Sequence, residues 1–201
     1  MKRRFSKTIS LKTILLAWAI LPVLSSLQGC VVVAAGAGAA TGASIAHDRR
    51  SAGTVLDDQI IEFKAISSLQ KDEDLWKKTH INVTAFNNVL LLSGEVPNDF
   101  LRTRAGGLVS RVPKVRAVHN DLHVSLPTPM SSRSNDSWIT TKVKSKLLAD
   151  RTIDPTRIKV VTERGIVYLM GLVTRHEANI ATEITRRVTG VRRVIKLFEY
   201  I

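Results

Sequence analysis

The chain has 201 residues and a formal net charge of +13, from 30 Lys and Arg against 17 Asp and Glu. Its single cysteine excludes an intrachain disulfide framework. The basic balance favours anionic partners, and the length allows one domain or two small ones.

The first zone reads as an export signal. A basic start carries Lys2, Arg3, Arg4, Lys7 and Lys12, an apolar stretch runs from Ile14 to Leu24, and Ser25, Ser26 and Gly29 lead to Cys30. The run Leu27-Gln28-Gly29-Cys30 resembles the cleavage motif of a bacterial lipoprotein signal, in which the cysteine sulfur is acylated and the precursor is cut just before it. Residues 1–29 are then a signal peptide, and Cys30 is the lipidation site. One acyl chain binds a bilayer marginally, at about 0.8 kcal/mol per buried methylene, and several chains make the anchor stable. With Cys30 acylated, no thiol remains for metal binding or catalysis. The competing reading is a membrane-spanning helix within the uncharged stretch 13–46. Its strongly apolar part falls well short of the ~20 residues a span requires. By resemblance to enteric lipoproteins, Val31 after the cysteine implies delivery to the outer membrane. Residues 30–56 form the lipidated N-terminus and a flexible tether, rich in glycine and alanine from Val31 to Ala46.

Beyond the tether, charge is unevenly shared. Residues 58–126 hold nine Lys and Arg against eight Asp and Glu, whereas residues 135–201 hold thirteen against seven. The balances are +1 and +6, so the basic character lies in the C-terminal half.

Those halves are two copies of one unit. Ile81–Val96 overlays Ile158–Val173 at a constant offset of 77, and both read as a β-hairpin with a two-residue turn at Asn87-Asn88 or Arg164-Gly165. Gly94 and Gly171 recur late in the second strand, where a missing side chain points to a bulge or a close backbone approach. A helical pattern precedes each hairpin, at Glu62–Leu69 and Thr140–Leu147, with Asp58 and Asp136 as candidate N-caps. A second helix follows, about Phe100 to Arg111 and Glu177 to Val188, stopped by Pro113 and Gly190. A third strand comes after it at an offset of 76. The predicted fold class is α+β, with two tandem α-β-β-α-β units at 57–126 and 135–201. Residues 127–134 link them, made semi-rigid by Pro127 and Pro129.

This order, with Gly94 and Gly171 in the hairpins and Val-x-x-Val before each last strand (Val112 to Val115, Val188 to Val191), resembles the BON domain, a three-stranded sheet backed by two helices. The likeness covers about 140 residues. With the lipoprotein signal, and with Asn135-Asp136-Ser137-Trp138-Ile139-Thr140-Thr141-Lys142-Val143 and Met170-Gly171-Leu172-Val173-Thr174, the chain is similar to the dual-BON outer-membrane lipoproteins. The resemblance implies a periplasm-facing protein that binds anionic phospholipid through its second unit, gathers at division sites and supports envelope integrity.

The residues of the second unit's first helix support that expectation independently. Ile139, Val143 and Leu147, at i, i+4 and i+8, form a core stripe. Trp138 lies beside the stripe and shares its face with Lys142 and Ser145, with Lys146 further along. An apolar ring dipping among headgroups with lysines behind it is an interfacial pattern, and each lysine contributes roughly 1 kcal/mol near an anionic surface. The candidate lipid-binding residues are Trp138, Ile139, Thr141, Lys142, Ser145 and Lys146. In the first unit Ile60 replaces Trp138, and Lys64 is the one lysine where the second helix has three. The alternative is that Trp138 packs against the neighbouring unit or its own sheet. Arg186-Arg187 and Arg192-Arg193 read as solvated faces.

No catalytic constellation is evident. His119 and His123 lie four apart on a strand, hence about 13 Å apart at ~3.3 Å per residue, too far for one metal. His47, His80 and His176 stand isolated, and Asp72-Glu73-Asp74 reads as a solvated loop. No phosphate loop, nucleophile elbow or zinc motif occurs. The expected function is thus non-enzymatic and without cofactor or metal, with anionic phospholipid as partner. Export argues against nucleic acid. The alternative is a protein-interaction module docking an outer-membrane assembly machine or a cell-wall hydrolase regulator.

Overall fold

The computed structural model describes residues 48–201; the signal, Cys30 and most of the tether lie outside them. Helix α1 (Ala52–Gln70) is capped by Ser51, whose side chain accepts the Thr54 N–H at 3.0 Å. It buries Ile61, Ala65 and Leu69, one per turn. Asp72-Glu73-Asp74 is not a loop. Asp72 caps a short helix, α2 (Glu73–Lys78), whose acidic first turn and basic last turn complement the helix dipole. Strands β1 (His80–Phe86) and β2 (Val89–Val96) form the expected hairpin. Asn87 and Asn88 both have positive φ, 51° and 63°, which a two-residue turn of this type requires. Helix α3 (Asp99–Val109), capped by Asn98, crosses back so that β3 (Ala117–Val124) joins β2 in parallel.

The second unit repeats this with α4 (Met130–Ala149), a 3-10 turn (Pro155–Arg157), β4 (Ile158–Glu163), β5 (Ile166–Val173), α5 (Arg175–Arg186) and β6 (Arg193–Tyr200). The sheet orders are β1-β2-β3 and β4-β5-β6. Registers match as well as topology: Ile81 pairs with Gly94 and Ile158 with Gly171. A side chain on Gly94 would stand 2.0 Å from the His80 carbonyl oxygen, and one on Gly171 would stand 2.6 Å from that of Arg157. Close approach is therefore the reason for both glycines.

Two expectations need correction. Helices α1 and α4 begin upstream of Asp58 and Asp136, at Ala52 and Met130, so the second helix takes in most of the expected linker. The two aspartates cap no helix. Each is buried mid-helix and caps the hairpin turn of its own unit. Asp58 accepts the N–H groups of Asn87 and Asn88 at 2.8 and 2.7 Å, and Asp136 accepts those of Arg164 and Gly165, both at 2.8 Å.

Each unit has its own core between helices and sheet, for example Ile61, Leu90, Leu92 and Leu101 in the first and Ile139, Val167, Leu169 and Ala181 in the second. A third cluster of Phe86, Leu91, Tyr168 and Met170, flanked by Val161, Ile195 and Leu197, draws on both sheets. The units thus pack sheet to sheet, and the central strands β2 and β5 are buried on both faces. Polar bonds pin the seam. The Tyr168 hydroxyl donates to Asp121 at 2.7 Å, Lys159 reaches Glu62 at 2.8 Å, and Asn82 donates to Glu163 at 2.6 Å. Burial, with the bond to Asp121, pushes the Tyr168 phenol far up.

Candidate membrane-contact surface

Helix α4 sorts its residues by face. Ile139, Val143 and Leu147 are buried to 1% exposure or less. Ile139, expected both in the core and at lipid, is core only: its Cδ1 lies so close to Gly190 that a side chain there would meet it at 3.0 Å. Trp138 is 61% exposed, so it packs neither into its own sheet nor against the first unit. Thr141, Ser145 and Lys146 share the exposed side with Lys144. Lys142 is half-buried, and its Nζ donates to the Thr189 carbonyl at 2.5 Å, tying α4 to the loop before β6. Leu148, 73% exposed, adds a second apolar side chain one helix segment further on.

The result is an exposed indole on a helix whose outer surface carries lysines at 142, 144 and 146 and no acidic residue between Asp136 and Asp150. Such a surface can insert a ring among headgroups while ammonium groups meet phosphates.

The first unit differs in a way the sequence did not draw out. Helix α1 leaves Leu56, Ile60 and Phe63 exposed, the last at 75%. They recur at i, i+4 and i+7 and so form an outward stripe, the periodicity being a signal the sequence did contain. Asp57 and Glu62 border the stripe, and its chemistry is apolar with little positive charge.

His80, read as isolated, is not. Its Nδ1 lies 3.0 Å from Glu95 and 3.9 Å from Glu163, and the three side chains place ligand atoms within 4.8 Å of one another. Glu95 is fully buried and also accepts from Thr128 Oγ1 at 3.1 Å, while Glu163 accepts from Asn82. Burial raises the Glu163 carboxyl despite that hydrogen bond. The cluster bridges the units, with β1, β2 and β4 supplying one member each. His119 and His123 lie on β3 as expected and take no part in it.

Where the chain enters the first unit, Arg49 forms a bidentate pair with Glu177, at 2.7 and 3.0 Å. Glu177 is also the acidic member of the α5 capping box with Thr174. Burial opposes ionisation, but the bonds from Arg49 and Thr174 hold its carboxyl down at about 2.

With the two α-β-β-α-β units in place, the family follows. The BON domain model matches residues 57–125 and again 135–201, and the chain belongs to the BON-domain family. It is 40% identical over 175 residues to the outer membrane lipoprotein DolP of Haemophilus influenzae, covering 87% of this chain and 90% of that one. It is 38% identical over 154 residues to the 21 kDa hemolysin of Actinobacillus pleuropneumoniae, covering 77% and 79%. To the osmotically-inducible protein Y of Escherichia coli it is 30% identical over 156 residues, covering 76% and 77%. The dual-BON arrangement expected from the hairpin offset therefore stands. No helix among the described residues is long and apolar enough to cross a membrane.

Proposed function

We propose that this chain is an outer-membrane lipoprotein, acylated at Cys30, that binds anionic phospholipid through helix α4 of its second unit and catalyses no reaction. The observation that carries the reading is the 61% exposure of Trp138 on a helix with lysines at 142, 144 and 146. Likeness to an outer membrane lipoprotein over most of both chains supports the anchor and the compartment. The acyl chains make attachment lasting, and α4 adds a reversible contact selective for acidic regions of the periplasmic leaflet. Such selectivity suits enrichment at division sites and a part in envelope integrity.

The test uses the full chain without its signal and with Cys30→Ser, so that acylation cannot mask the second contact. Burying much of an indole at about 25 cal/mol per Å² is worth about 2 kcal/mol. Trp138→Glu is therefore expected to weaken binding to phosphatidylglycerol-containing vesicles by about 30-fold or more, with little binding to neutral vesicles in either case. Equal binding by a folded variant overturns the reading.

A second reading, a protein-interaction module, is favoured by the α1 stripe of Leu56, Ile60 and Phe63. An envelope-assembly or wall-remodelling protein with a matching apolar groove is the partner it would take. Vesicle binding unaffected by Phe63→Asp, together with loss of a co-purifying envelope protein, would assign the stripe to that role.

A further inference from the structure

Arg116 and Arg192 occupy matching positions, 76 apart, and make the same backbone bond. The Arg116 N–H donates to Asn88 O at 2.9 Å, and the Arg192 N–H donates to Gly165 O at 2.8 Å. Their guanidinium groups then differ. In the first unit Arg116 donates to the Asn87 carbonyl at 3.1 and 2.7 Å and to the Glu199 carboxylate at 2.7 Å. The same carboxylate oxygen accepts from Asn87 Nδ2 at 3.0 Å. The turn residue and the arginine after the second helix thus hold an oxyanion, supplied by β6 of the other unit.

In the second unit the corresponding cradle is more cationic, and among the described residues no carboxylate bridges its turn residue and its arginine as Glu199 does in the first. Arg164 replaces Asn87, Arg192 replaces Arg116, and the β3 residue matching Glu199 is His123. Arg192 makes no side-chain hydrogen bond or ion pair among the described residues. Its aliphatic stem crosses Gly165, so close that a side chain there would stand 2.8 Å from Arg192 Cδ. Arg164 donates to Ser125 Oγ at 2.8 Å and stands 3.9 Å from Glu95. Between the arginines opens a groove of about 520 Å³, also lined by Thr128, Ser132, Asn135 and Asp136. Asp136 keeps its negative charge at the groove wall, but both its oxygens are engaged by the turn amides, and the two guanidinium groups lining the groove outnumber it.

We propose that this groove is an oxyanion site of the phosphate class, built as the first unit builds its carboxylate site but open to a ligand from outside. Two guanidinium groups are the side chains best matched to phosphate oxygens, and the Ser132 and Asn135 side chains, which also line the groove, supply further donors. The groove adjoins the α4 surface through Gly190, which lines it and where a side chain would stand 3.8 Å from Lys142 Nζ. That the phosphate belongs to a lipid headgroup rests on the function proposed above; the anion chemistry does not.

The experiment titrates glycerol phosphate into the unacylated Cys30→Ser chain, followed by amide NMR, beside binding to phosphatidylglycerol and neutral vesicles. Shifts centred on Arg164, Gly165 and Arg192 are expected, weakened about tenfold or more in Arg192→Gln. That variant should fold normally, because the side-chain head has no partner among the described residues. His123→Glu, which introduces the carboxylate that the first unit receives from Glu199, should compete with the ligand and abolish the shifts. A tenfold loss of phosphatidylglycerol binding in Arg192→Gln assigns the phosphate to lipid. Groove shifts without vesicle binding keep the site and assign it to a soluble phosphate ester, while removing the lipid reading. Shifts confined to Arg186 and Arg187, or unchanged in Arg192→Gln, overturn the site even if the vesicle contact through Trp138 survives.

Discussion

The carboxylate of Asp136 accepts the N–H of Gly165 at 2.8 Å across 29 positions of sequence. With its second oxygen on Arg164 N–H, it fixes the β4–β5 turn to the middle of helix α4. Two turn amides next to a parallel strand would otherwise be short of acceptors, and removing their partner from a buried site leaves them unsatisfied. Asp136→Ala is expected to cost about 2–4 kcal/mol of unfolding free energy in urea. Asp58→Ala should cost at least as much, because Asp58 also accepts from Arg50 at 2.7 Å. A loss below about 0.5 kcal/mol in both would mean that the turns hold themselves.

Gly94 has φ 117°, and a Cβ placed on it would stand 2.0 Å from the His80 carbonyl oxygen. An alanine there carries both a backbone penalty and a clash that only the β1–β2 ladder can relieve. Gly94→Ala should therefore destabilise by about 3 kcal/mol or more. Gly171→Ala lacks the positive φ and should cost less. Thermal melts of the two variants order them.

Glu163 gives the seam a pH dependence of one sign. Its carboxyl is raised by burial, so the folded chain holds a proton that the unfolded chain has released over the interval above the ordinary glutamate value. Stability from this group falls as pH rises through that interval. Glu163→Gln, which keeps an acceptor for Asn82, should be at least as stable as the parent at pH 8 and lose that advantage at pH 4. A variant less stable at both pH values would show that the charge is needed beside His80.

Glu177 acts in the opposite sense. Its carboxyl lies at about 2, below the ordinary 4.5, so its contribution is full above pH 4.5 and is lost as pH falls toward 2. Arg49→Ala should shrink the difference in melting temperature between pH 5 and pH 2.5 while leaving the Thr174 cap in place. An unchanged difference would place the acid sensitivity elsewhere.

The order of elements could be read from the chain because each unit carries local signals twice. The constant offset of Ile81–Val96 and Ile158–Val173, the Asn87-Asn88 and Arg164-Gly165 turns, and Gly94 with Gly171 all depend on near neighbours along a strand. Relationships across the fold were not legible in the same way. An aspartate ahead of a helical pattern looks like an N-cap, and nothing local tells that Asp58 and Asp136 reach a turn some 29 residues later. His80 looked solitary although Glu95 faces it across the predicted hairpin, a pairing the register does contain; only Glu163, 83 positions away, had no local signal. The exposure of Trp138 and the burial of Ile139 follow from a periodicity already visible, with Ile139 belonging to the inward side alone. One clue to the seam was available: Val89-Leu90-Leu91-Leu92 is a continuous apolar run, as expected of a strand covered on both sides.

That run bears on how the protein can be handled. Cutting the chain between Val124 and Met130 would bare Phe86 and Leu91 on one piece and Tyr168 and Met170 on the other. Such greasy sheet faces would find each other between molecules, so separated halves should stick, dimerise or precipitate. The tandem is accordingly the smallest piece expected to keep these faces covered, each copy closing over the sheet that the other would leave bare.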